Sequence, residues 1–185
     1  GEILIKAKQS NMALEKLLKA RTVQEIRNGD LLGVNELIKK AAEPEILKII
    51  DQAKYHTWAN RTDEALLLNS EAINLNYRYF NNSNNKINFA LEDLKNQMKL
   101  RKCRDYSNGY SDAIKKAKIL ISKKQYGDLV DILKKAEEFV VDYPECKIDN
   151  SELLKLRTDY QSVLQFYIDY NSIGTKLFDK GYQDA

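Results

Sequence analysis

Apolar side chains recur at steps of three and four along almost the whole of this chain, while the strict alternation of strands is nearly absent. The clearest run is Leu153, Leu156, Tyr160, Val163, Tyr167, Tyr170 and Leu177, interrupted only by Gly174. It predicts one long amphipathic helix over about 150–180, roughly 40 Å in length. Asp149 followed by Glu152 has the form of a capping box, with Asp in place of Ser or Thr, and marks its start. With only 2 Pro and 7 Gly in 185 residues, the backbone has few obligatory breaks.

The same periodicity places further helices upstream. Leu129, Ile132, Leu133, Ala136, Phe139, Val140 and Tyr143 trace one that stops at Pro144, and Ala113, Ala117 and Leu120 trace the one before it. Ile87, Ala90, Leu91, Leu94 and Met98 make another; Ala65, Leu68, Ala72, Leu75 and Tyr79 make a fifth, with Thr62 as its N-cap. Pro44 stands where a proline opens a helix, here one through Ile46, Ile49, Ile50 and Ala53. The N-terminal stretch carries Ala7, Leu14, Leu17 and Leu18, then a shorter helix through Val34, Leu37 and Ala41. Asn28-Gly29, Asn108-Gly109 and the tract Asn81 to Asn85 read as turns, because Asn and Gly tolerate the left-handed region. About eight helices and short polar loops follow, in a single all-α domain over 1–185.

Two segments repeat a spacing of small residues. Ala53 precedes Ala65 and Ala72 by 12 and 19 positions, and Ala117 precedes Leu129 and Ala136 by the same intervals. Small side chains at such positions let two antiparallel helices approach closely. With Tyr126 at the turn between Ala117 and Leu129, the pattern resembles the tetratricopeptide repeat (TPR), a 34-residue helix-turn-helix. TPR-like units fall near 15–48, 46–79 and 110–143, and Gly174, Leu177, Gly181, Tyr182 and Ala185 look like the opening of another. Ala53 and Ala117 replace the repeat's first-helix glycine, and its closing proline is represented only by Pro144, three positions late. The resemblance implies antiparallel hairpins stacked as a short array, followed by the long C-terminal helix; an irregular helical bundle is the alternative. It also implies a concave groove for an extended peptide, lined by first-helix side chains. By position these are Lys54, Thr57 and Trp58 in one unit and Lys118 and Ser122 in another. The carboxylate clamp of some members is not matched, since Ile50 and Ile114 occupy its lysine positions.

Catalytic chemistry finds no foothold in the residues. His56 is the only histidine, so neither a His-rich metal site nor a Ser/His triad can be assembled within the chain. The glycines form no phosphate-binding loop, and no cofactor is called for. Cys103 and Cys146 lack metal-ligand spacing; inert thiols are the commoner outcome for such a pair, with a disulfide left open. The sequons at Asn60 and Asn81 carry no weight in so Asn-rich a sequence. No apolar run is long enough to span a membrane. The start shows no signal peptide, and both a cytoplasmic location and export after loss of a leader stay open.

Thirty basic residues against 27 acidic ones give a net charge of +3, too balanced to imply nucleic acid by itself. The basic cluster Lys95, Lys99, Arg101, Lys102 and Arg104, with Tyr106 and Tyr110 interleaved, is the best nucleic-acid candidate, but acidic neighbours make a solvated face the stronger reading. Tyrosine is frequent, at 11 residues, and Tyr160, Tyr167 and Tyr170 lie on the C-terminal stripe, where amphipathic rings suit an interface. The expectation is a non-enzymatic helical scaffold for a protein or peptide partner. The alternative is a structural or surface bundle that oligomerises through the tyrosine stripe.

Overall fold

The computed structural model describes residues 9–27 and 31–183; for Ile26, Gly174 and residues 176–183 it describes the backbone alone. Every regular element among them is helical, as the periodicity predicts. The order is α1 (Ser10–Ile26), α2 (Leu31–Trp58), α3 (Thr62–Phe80), α4 (Asn85–Ser122), α5 (Tyr126–Val141), a 3-10 turn (Pro144–Cys146), α6 (Ser151–Asp159) and α7 (Gln161–Gln183). Contacts group the chain into two compact units, Gly1–Arg101 and Lys102–Ala185.

Several boundaries differ from those expected. Pro44 opens no helix; it lies inside α2, which unites the two short helices predicted on either side of it. An interior proline costs about 3 kcal/mol, because it clashes with the preceding turn and supplies no N–H. Ala41, Ala42, Ile46 and Ile50 are at most 1% exposed, and each buried Ile offsets about 1.5–3 kcal/mol of that cost. Asn108-Gly109 is likewise no turn but the middle of α4, which runs unbroken for 38 residues. A Cβ at Gly109 would lie 2.7 Å from the Phe139 ring, so glycine serves the close approach of α5.

The C-terminal stripe breaks where continuity was expected. Tyr160 (φ −115°, ψ 17°) separates α6 from α7, and the two helices bring Leu153 and Leu164 into one core. The reciprocal capping box does not form. Asp149 instead accepts the N–H of Ser151 (3.0 Å), which holds its carboxyl below the ordinary value, while Glu152 pairs with Lys118. Thr62 is the first residue of α3 and not its cap; Arg61 takes that position without a side-chain bond. The Asn-rich turn is as expected, with Asn81 and Asn82 left-handed at φ 48° and 59°. Asn28-Gly29 lies outside the described residues.

The unit Gly1–Arg101 packs Ile46, Ile50, Ile87 and Leu94 around Ala42, Ala53 and Ala72, with a smaller cluster of Ala13, Leu17, Ile38 and Ala41 joining α1 to α2. The unit Lys102–Ala185 packs Ile114, Ala117, Leu129, Leu133, Ala136, Leu153 and Leu164. All six residues of the repeated spacing, Ala53, Ala65, Ala72, Ala117, Leu129 and Ala136, are fully buried. Cys103 and Cys146 are bonded to each other across 43 residues, with their Cα atoms 5.0 Å apart, which overturns the expectation of inert thiols. Among the described residues no helix is long and apolar enough to cross a membrane.

Candidate functional site

The first-helix residues singled out by position are mostly engaged within the chain. Lys54 on α2 reaches Asp93 on α4 at 2.8 Å; Gln97 donates to the same carboxylate (2.9 Å) and accepts the indole N–H of Trp58 (3.0 Å). Hydrogen bonding from Lys54 holds the Asp93 carboxyl below its ordinary value. One polar chain therefore ties α2 to α4, and the Trp58 ring stays half-exposed beside it. Thr57 needs correction as a surface residue. It is buried, and its hydroxyl donates to the Ala53 carbonyl (2.9 Å), a bond within its own helix that satisfies the group without water. Ile50 and Ile114, which stand in the clamp positions, are buried too.

In the second unit Lys118 pairs with Glu152 at 2.7 Å, and Ser122 donates to the Ile119 carbonyl (2.8 Å) at the end of α4. The three stripe tyrosines part company. Tyr160 lies against Tyr126 (6.1 Å between ring centres), and the Tyr167 ring is 3.7 Å from where a Cβ on Gly127 would stand, so both cover the start of α5. Tyr170 faces solvent, stacked on Phe166 at 6.3 Å.

What the stripe does not predict is a groove of about 330 Å³ between α5 and the α6–α7 pair. Leu133 and Leu164 form its buried floor; Val130, Leu154 and Ile168 form apolar walls, with Leu154 56% and Ile168 46% exposed. Arg157, Thr158, Gln161 and Gln165 make the polar rim. An apolar floor, a few polar groups and this volume suit a side chain or helix face of another molecule. The signal was present in the sequence as a second row one position off the first, with Leu154 beside Leu153 and Ile168 beside Tyr167. Reading a single face per helix passes over it.

Other candidates gather no site. The His56 ring packs edge-on to Tyr55 at 5.5 Å, and its Nδ1 is buried without a hydrogen-bond partner. Among the described residues no three metal-ligating side chains come together. In the basic cluster both tyrosines are occupied. Tyr106 has one face taken by its stack on Tyr143 at 3.7 Å, and Tyr110 is buried, its hydroxyl accepting the N–H of Leu153 (3.4 Å).

Compared with protein-family models, with curated proteins and with solved structures, the chain matches none of them.

Proposed function

We propose that this chain is a non-enzymatic helical scaffold, TPR-like in its hairpins, that binds a protein or peptide partner through the α5–α6–α7 groove. The observation that supports this most is the pair of half-exposed walls, Leu154 and Ile168, over an apolar floor. Exposed apolar side chains gathered in one concavity with a polar rim are the composition of a docking surface. An amphipathic helix lying in that groove places one or two large apolar residues on Leu133 and Leu164. Panning a library of amphipathic helical peptides against the intact chain is expected to yield micromolar binders that Ile168→Asp weakens about tenfold or more. No binder, or binders indifferent to Ile168→Asp, would remove this reading.

A second reading rests on the outer row of α7. Phe166, Tyr170 and Ile173, spaced i, i+4 and i+7, are all more than half exposed and suit pairing with another copy. Here Tyr170→Asp is the informative change, since Tyr167 is spent on packing against α5. Equal mass for the chain and the variant by light scattering, at monomer size, would exclude it.

A further inference from the structure

Residues 142–150 are the longest described stretch without α-helix, and none of them is fully buried. Three of the holds on this connector come from one face of α4, beside the packing of Ile148 on the core of the same unit. Lys102 sits 4.1 Å from the centre of the Tyr143 ring, Tyr106 stacks on that ring, and Cys103 is bonded to Cys146. One turn further on, Tyr110 receives the N–H of Leu153 at the start of α6. The ring contacts are partly exposed and individually weak, so the covalent tether dominates the grip. Both cysteines of the chain are spent on it, and positions 1–102 contain none.

We propose that the Cys103–Cys146 bridge makes the fold of the connector and of α6 conditional on oxidation, and that the chain works in a compartment whose disulfide pool keeps the pair bonded. Small domains that join their only two cysteines in this way belong to oxidising compartments, because cytosolic thiol pools reduce such bonds. Formation is thiol–disulfide exchange with a small-molecule disulfide. The two protein thiols lose two protons and two electrons, the protein S–S bond forms, the small molecule's S–S bond breaks, and two small thiols leave. Reduction reverses these steps and frees 142–150 from α4. The unit Gly1–Arg101, lacking cysteine, is indifferent.

Hydrogen exchange on the intact chain, with and without a phosphine reductant, reads this directly. Protection across 142–160 is expected to fall on the order of a hundredfold on reduction, while 31–80 keeps its protection. The double variant Cys103→Ser/Cys146→Ser is expected to show the same pattern without reductant. Unchanged protection at 142–160 in both experiments, or an equal loss in 31–80, overturns the conditional fold. Acid-quenched alkylation of the protein in its native cells tests the compartment: blocked cysteines support it, and alkylated thiols overturn it.

Discussion

Two connectors of this chain are held in unlike ways. The turn between α3 and α4 is secured by side-chain amides: Asn84 accepts the N–H groups of Lys86 and Ile87, and Asn76 donates to Asn88 (2.8 Å), which donates to the Asn82 carbonyl (2.7 Å). Glu43 on α2 receives Asn84 and Lys86, and those hydrogen bonds lower its carboxyl below the ordinary value. The connector between α5 and α6 is secured by a disulfide and an aromatic stack. The difference follows from what lies nearby. Asn76 is 1% exposed, so its amide works in a dry setting where a missing partner is expensive. Residues 142–150 have no such buried amide, and the cross-link stands in for one by keeping Cys146 beside α4 when the weaker contacts around it open.

Breaking the bridge should give the largest effect. For a 43-residue closure the loop-entropy relation gives about 4 kcal/mol, so Cys103→Ser/Cys146→Ser should lower the urea midpoint of the Lys102–Ala185 unit accordingly. A loss of only a few tenths would show that the aromatic contacts suffice. Asn88→Ala should come next, at about 1–3 kcal/mol, because it takes the acceptor from the buried Asn76 Nδ2, whose neighbouring Oδ1 already has no hydrogen-bond partner. That loss should be the same in reducing buffer, and a dependence on reductant would erase the contrast between the connectors.

The smallest effect is a titration. Hydrogen bonding with the Tyr143 hydroxyl, helped by burial, pushes Tyr106 up to about 12 from the ordinary 10.0. The fold favours the neutral phenol, so its contribution is complete below pH 10.0 and is lost as pH rises through about 12. Burial also pushes Tyr110 up, so ultraviolet titration should show both Tyr106 and Tyr110 late, and Tyr143→Phe should return Tyr106 alone towards the ordinary value. If Tyr106 still titrates as late in that variant, the Tyr143 hydroxyl is not what holds it neutral.

Much of the helical content was legible in single residues. The three- and four-step recurrences marked the helical segments, and the Ala spacings at 53/65/72 and 117/136 marked positions with no solvent exposure. Punctuation was less legible, because Pro44 and Gly109 carry two meanings. A proline reads as a helix start and a glycine as a stop, yet packing kept both inside helices through buried Ile46 and the close Phe139 ring. The candidate groove was hidden for a related reason: Leu154 and Ile168 are apolar like their neighbours, and only the placement of α5 decides which row is covered.

By itself, then, the sequence determined that this protein is helical and where its small residues must meet, since periodicity and side-chain volume are properties of local chain. Tertiary structure decided which helices run on through a proline or a glycine, which apolar row remains open, and that Cys103 finds Cys146. Those outcomes depend on distances between residues far apart in sequence, which only packing sets.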